Sequence, residues 1–205
     1  MACQKPGRLR FVRQPALFLD RDGTINVDLI GNYVLHPDKL QLVPGAATAL
    51  SEARAAGFKL GVVTNQACIG KGLLTHEGLA KIHEHLEYLV RQEANLDRFH
   101  FDDLRYCPHR ADEGCACRKP NTGMLEAAIA TLNPVLDRSF FIGDKPADLG
   151  CANNAGIRSI LVLTGYGSGT LKEVEAGKCP TPYAVCTNLL EAVRWISEDL
   201  RTHQS

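Results

Sequence analysis

Short apolar runs alternate along this chain with longer stretches of helical period. ALFLD (16–20), FKLGVVT (58–64), DLRYC (103–107), SFFIGD (139–144) and RSILVLT (158–164) have the length and β-rich character of buried strands. PGAATALSEARAAG (44–57), opened by proline and closed by glycine, and THEGLAKIHEHLEYLVRQEA (75–94) read as helices. TGMLEAAIATL (122–132) gathers Met124, Leu125, Ala128, Ile129 and Leu132 on one face. KPADLGCANNAG (145–156) and NLLEAVRWISEDL (188–200) complete the helical set.

Strand–helix alternation of this kind predicts an α/β protein, a three-layer, doubly wound parallel sheet covered on both faces. No internal repeat or linker interrupts residues 1–205, so a single domain is expected. The stretch 165–182, rich in Gly, Thr and Pro, reads as a surface excursion around one short helix.

The 205 residues are 45% apolar and 22% charged, enough for a proper core. Lys plus Arg and Asp plus Glu both number 23, which argues against a chain that coats nucleic acid or an anionic membrane; any anion must be held by a local site. No apolar run approaches the roughly 20 residues that span a bilayer, and the basic start MACQKPGRLR has no apolar leader segment before the first strand. The expectation is a monomer in a reducing cytoplasm. There the eight cysteines form no disulfide framework, and clustered ones hold metal. Cys3, Cys68, Cys151, Cys179 and Cys186 are scattered and read as unligated. His36, His76, His83, His85, His100 and His203 have no ligand spacing and read as surface or packing residues.

Open α/β sheets bind ligands beyond the carboxyl ends of their strands, and several strand ends here carry reactive groups. Asp20 and Asp22 follow the first run, Thr64 ends the second, Asp144 ends the fourth, and Asp148 lies one helical turn further on. An aspartate at such a place can attack phosphorus in line. A carboxylate two residues later can protonate the leaving oxygen and later take a proton from water. Clustered carboxylates suit Mg²⁺, and a hydroxyl with a lysine can hold the oxygens of a transferring phosphoryl group. These are the parts of a phosphomonoesterase. A receiver-like module, phosphorylated without turnover, would share the acidic strand end and the lysine.

FLDRDGT, VVTNQ, CRKP and GDKPAD occur in order and resemble the four signature motifs of the haloacid-dehalogenase-like (HAD) phosphatases over about residues 15 to 165. The resemblance implies a HAD-like Rossmannoid fold with Asp20 as nucleophile and Asp22 as general acid and base. It implies that Thr64 and Lys119 stabilise the phosphoryl group. It further implies a magnesium ion held by Asp144, the Asp20 carboxylate and the Asp22 backbone carbonyl. Asp148 would orient Lys119 or a metal-bound water, or merely cap the helix that follows it.

Cys107, His109, Cys115 and Cys117 stand in C-x-H-x₅-C-x-C spacing. Three thiolates and one imidazole make a closed tetrahedral shell for Zn²⁺, with no position open for water, so the metal is expected to be structural. The loop has few apolar side chains, and ligation would supply the order that burial cannot. It would aim Lys119 at the reacting phosphate and leave Arg118 for a second anion. Asp20 to Thr64 spans 44 residues and Thr64 to Lys119 spans 55, which leaves no room for a separate cap domain. The zinc loop and the insert INVDLIGNYV (25–34) would then frame an open site.

Two HAD families carry such a loop, the D-glycero-D-manno-heptose 1,7-bisphosphate phosphatases and the histidinol-phosphate phosphatases. INVD (25–28) with Tyr33 and Val34, NQACIGKG (65–72) and RKPNTGM (118–124) are similar to segments of the heptose enzymes. That resemblance implies a small phosphorylated sugar cleaved at C7, with Asp28, Tyr33, Asn65, Gln66, Arg118 and Lys145 as substrate contacts. Arg118 and Lys145 would meet the distal phosphate. Two extra residues within LIGN, and Ala67-Cys68 in place of Ser-Gly, depart from the pattern where sugar contacts are expected.

Overall fold

The structure, a computed structural model, describes residues 13–202; the basic N-terminal segment with Cys3, and His203, lie outside the described residues. The strands are β1 (Ala16–Leu19), β2 (Lys59–Asn65), β3 (Asp103–Cys107), β4 (Phe140–Gly143), β5 (Arg158–Val162) and β6 (Ala184–Cys186). They form one parallel sheet in the order β3-β2-β1-β4-β5-β6. The helices are α1 (Ala46–Ala55), α2 (His76–Glu93), α3 (Gly123–Leu132), α4 (Pro146–Asn154), α5 (Gly167–Glu175) and α6 (Leu189–Thr202).

Alternation along each strand divides the core. Leu17, Leu19, Leu60, Val62, Phe140 and Ile142 pack with α1, α2 and α6 on one face. Ala16, Phe18, Val63 and Phe141 pack with α3 and α4 on the other. This is the three-layer arrangement expected from sequence. The helices begin and end where local chemistry dictates: the Thr75 side chain accepts from Gly78 N at the start of α2, and Gly57, at φ +86°, follows the end of α1.

Two features differ from expectation. A sixth strand was not foreseen, because β6 is three residues long and exposes Val185, so no buried apolar run marks it. It pairs with β5 (Ile160↔Ala184) at the sheet edge. The short helix anticipated within 165–182 is α5, but it is more than a surface excursion. Gly167 and Thr170 are buried, and the turn before α5 reaches the end of β4.

Strand order reverses between β1 and β4, the place where doubly wound sheets open a crevice at their carboxyl ends. Asp20 follows β1 and Asp144 follows β4, one on each side of that crevice.

Candidate active site

At the floor of the crevice Lys119 Nζ lies 2.8 Å from Asp20 Oδ1, 2.6 Å from Asp148 Oδ1 and 2.7 Å from the Val63 carbonyl oxygen. All four residues are buried. Two of the ammonium hydrogens are taken by Asp20 Oδ1 and the Val63 carbonyl, and Asp148 adds a close opposite charge. Burial alone would lower the Lys119 pKa, but the Asp148 and Asp20 charges overcome it and hold it above the ordinary lysine value. Asp148 also accepts from Lys145 N at 2.9 Å, so it caps α4 and pairs with Lys119 at once. The two readings of this residue are compatible.

Asp144 is buried between Asp20 and the turn before α5. Its Oδ2 accepts from Tyr166 N at 2.8 Å, while Oδ1 is buried with no hydrogen-bond partner. Burial, and then the neighbouring Asp20 charge, push its pKa up to about 8. A Cβ on Gly23 or on Gly165 would collide with its carboxylate, and both glycines have positive φ, +94° and +56°. The orphaned oxygen and the excess of carboxylate fit a cation: single oxygens of Asp20, Asp144 and Asp148 lie within 4.8 Å of one another.

Asp22 is held differently. Its carboxylate accepts from Arg21 Nε (3.2 Å) and Nη2 (2.9 and 2.8 Å), from Asn26 Nδ2 (2.9 Å) and from Gln66 Nε2 (2.8 Å). Burial alone would raise its pKa; the Arg21 charge and these hydrogen bonds reverse that and hold it below the usual carboxylate value. The Asp22 backbone oxygen accepts from Lys145 Nζ at 3.2 Å.

The second metal cluster is assembled as the spacing implies. Cys107 Sγ lies 3.6 Å from Cys115 Sγ and 3.5 Å from His109 Nδ1, and Cys117 Sγ lies 3.3 Å from Cys107, 3.4 Å from Cys115 and 3.2 Å from His109. Zn–S bonds of about 2.3 Å place the corners of a tetrahedron roughly 3.8 Å apart. The cluster is therefore near the size that zinc requires. The loop is stitched to the turn after β2: Gln66 N donates to Cys107 O at 2.8 Å, and Gly70 N to Pro108 O at 2.9 Å. At its far end Asn65 brackets Lys119, donating to its carbonyl and accepting from its amide, both at 3.1 Å.

A cavity of 680 Å³ opens above this floor, bordered by the 28–34 insert, by Asn65, Ala67 and Lys71 after β2, by Arg118 and Lys119, and by Lys145, Tyr166 and Glu173. A small polar cleft of 40 Å³ adjoins it, lined by Asp20, Asp22, Thr64, Lys119 and Asp148 among others. The two spaces share Asp22, Asn65, Lys119 and Lys145 in their walls.

The structure brings Asp20, Asp22, Thr64, Lys119 and Asp144 together, and places Asp28, Tyr33, Asn65, Arg118 and Lys145 on the larger cavity. Gln66 differs from expectation. It is 1% exposed and its amide is taken up by Asp22 and Thr64, so it supports the site from below instead of lining it. Lys145 also has other partners, Asp28 Oδ2 at 2.7 Å and the Tyr166 ring at 5.2 Å, so it is less free for a distal anion than sequence suggested. Lys71, 5.1 Å over the Tyr33 ring, was missed, as were Arg21, Tyr166, Thr170 and Glu173. The only signal for the last three was the threonine that closes the run RSILVLT: Thr164 Oγ1 donates to Gly23 O at 2.5 Å and draws the following turn over the site.

A family model described as HAD-hydrolase-like matches residues 116–192. A D-glycero-beta-D-manno-heptose-1,7-bisphosphate 7-phosphatase of Helicobacter pylori is 34% identical over 181 residues, 88% of this chain and 96% of that protein. A D-glycero-D-manno-heptose-1,7-bisphosphate 7-phosphatase of Chlorobaculum tepidum is 40% identical over 170 residues, 77% of this chain and 82% of its own length. Among solved structures, D,D-heptose 1,7-bisphosphate phosphatase from B. bronchiseptica, complexed with magnesium and phosphate, superposes with a TM-score of 0.81 at 31% identity, covering 91% of this chain and 99% of the other.

Proposed function

The chain belongs to the HAD-like family and is a phosphoric monoester hydrolase, and from that premise we propose that it hydrolyses the C7 phosphate of D-glycero-D-manno-heptose 1,7-bisphosphate through an aspartyl-phosphate on Asp20. The observation that carries this reading is the joining of two spaces. A cleft of 40 Å³, with Asp20 and Lys119 in its wall, opens beside a cavity of 680 Å³ bordered by Arg118 and Lys71. One phosphate of a sugar bisphosphate fits the first, and the second phosphate meets cations in the other. A phospho-accepting module without turnover is set aside by the family.

Asp20 attacks phosphorus, and the sugar C7 oxygen departs with the electron pair of its bond to phosphorus. Asp22 gives that oxygen a proton, then takes one from the water that hydrolyses the acyl-phosphate. Thr64 Oγ1 and Lys119 Nζ hold the phosphoryl oxygens; Lys119 turns one of its N–H groups from its present partners to do so. The Asp20 and Asp144 carboxylates, together with the Asp22 carbonyl once it leaves Lys145 Nζ, would hold Mg²⁺, which when bound offsets the charge of the phosphoryl group and of the carboxylates. Zinc on Cys107, His109, Cys115 and Cys117 would fix the loop that delivers Arg118 and Lys119.

One residue favours a second substrate. Glu173 borders the larger cavity and suits the cationic end of histidinol phosphate. The deciding experiment compares kcat/KM for both anomers of the heptose bisphosphate, for heptose 7-phosphate and for histidinol phosphate. The bisphosphate should be preferred, and heptose 7-phosphate should lose chiefly in KM. A clear preference for histidinol phosphate would overturn the assignment.

A further inference from the structure

Arg21 stands between the two aspartates of the first motif, and its side chain is among the largest that are fully buried. A guanidinium taken out of water is costly unless its N–H groups are paired. Arg21 meets that demand in an ordered way. Nε and Nη2 grip the Asp22 carboxylate from one side, and Nη1 lies 3.1 Å from His83 Nε2. His83 belongs to α2, whose Leu79, Ile82, Leu86 and Val90 are buried in the core. A chain of contacts therefore runs from a packed helix through a buried imidazole and a buried guanidinium to the carboxylate. Asp22 keeps 20% of its side chain exposed and borders both the cleft and the cavity. It is gripped from behind and open in front.

We propose that Arg21, seated by His83, is a positioning residue that aims the Asp22 carboxyl at the leaving oxygen of the substrate. The inference rests on the reading of Asp22 as proton donor. Two-point contact with a planar guanidinium fixes the rotation of a carboxyl group as well as its place, which a lysine ammonium cannot do. As the bond between phosphorus and the sugar oxygen breaks, its electron pair goes to oxygen together with a proton that Asp22, ionised at rest, takes from the monoanionic phosphate ester and passes on. The ionised Asp22 left behind is the form that Arg21, Asn26 and Gln66 hold, and it is ready to take a proton from the hydrolytic water. His83 accepts from Nη1 only when Nε2 carries no proton. Burial, and then the Arg21 charge, push its pKa down to about 3, in keeping with that neutral form.

Leaving-group dependence separates positioning from mere support of the fold. Phosphoenzyme formation in a single turnover is measured for a sugar phosphate, whose alkoxide needs a proton, and for p-nitrophenyl phosphate, whose phenolate does not. Asp22→Asn should lose about 100-fold or more on the sugar ester and far less on the aryl ester. Arg21→Lys and Arg21→Met should show the same selective loss, smaller in size. His83→Leu should follow them, and His83→Gln, which restores an acceptor, should recover most of the rate. The His83 pair keeps the test open should the Arg21 variants fail to fold. Equal losses on both esters, or none, in Arg21 and His83 variants while Asp22→Asn is selective would overturn the positioning role alone. An unselective Asp22→Asn would overturn the proton-donor reading and this inference with it.

Discussion

Lys119 Nζ and Asp20 Oδ1 lie 2.8 Å apart, although they are 99 positions apart in the chain. Three constraints produce that contact. β1 and β2 are neighbours in the sheet, Asn65 at the end of β2 brackets the Lys119 backbone, and the four-ligand cluster ends two residues before the lysine. The ammonium then sits with Asp20 and Asp148 around it, inside a group of buried carboxylates that also includes Asp144.

Removing that charge leaves carboxylates buried and unpaired. Lys119→Met should destabilise the protein by about 3–5 kcal/mol and reduce kcat at least about 100-fold. Denaturant unfolding and a phosphate-release assay measure the two effects. A variant with native stability would mean that Lys119 is not the counter-charge of this group.

Zinc content tests the loop. The protein should carry about one zinc per chain, retained when magnesium is removed. Cys117→Ser should lose it, open residues 108–116 to proteolysis before the sheet unfolds, and lower activity through the displaced Arg118 and Lys119. Full activity in protein that metal analysis finds free of zinc would contradict this.

Glycine positions test the wall around Asp144. Gly165→Ala should place a methyl group against the Asp144 carboxylate and reduce activity by about tenfold or more. Gly177, at φ +68° with open space where a Cβ would go, is the control. Gly177→Ala should cost only the backbone term of about 1 kcal/mol, read as a small fall in Tm with kcat unchanged. Equal kinetic effects in the two variants would show that crowding of Asp144 does not matter.

Stability should fall in acid partly through His83. Its pKa drops from 6.5 to about 3 on folding, because of burial and then Arg21, while Asp22 acts in the opposite direction and the Tyr106 ring packs 6.1 Å away. Between those two values the unfolded chain binds a proton that the folded chain refuses. This contribution is therefore fully present above 6.5 and is lost as pH falls towards 3, at up to about 1.4 kcal/mol per pH unit. Tm measured from about pH 7 to pH 5 should decline less steeply in His83→Gln than in the native protein. An identical slope would remove His83 from the account.

Much of this arrangement was legible in the chain because it depends on local signals. Buried strands announce themselves as apolar runs, and a residue that closes such a run, as Asp144 and Thr64 do, lies at the carboxyl rim of a parallel sheet. The cysteine cluster was legible because its ligands are close in sequence. What escaped depends on contacts between distant segments. The pairing of Arg21 with His83 joins positions 62 apart, and no period or spacing reports it. Tyr166 and Thr170 reach Asp144 only because β5 lies next to β4. Gln66 looked like a substrate contact from its neighbours in sequence, and only its burial under Asp22 shows otherwise.

The most direct test of the account is to trap the phosphoryl group. Enzyme mixed with a substrate radiolabelled in the C7 phosphate is quenched in acid within one turnover, digested and mapped. The expected result is label on the peptide that contains Asp20, absent in Asp20→Asn, which should also release no phosphate. Label on another residue, or native turnover by Asp20→Asn, would contradict it.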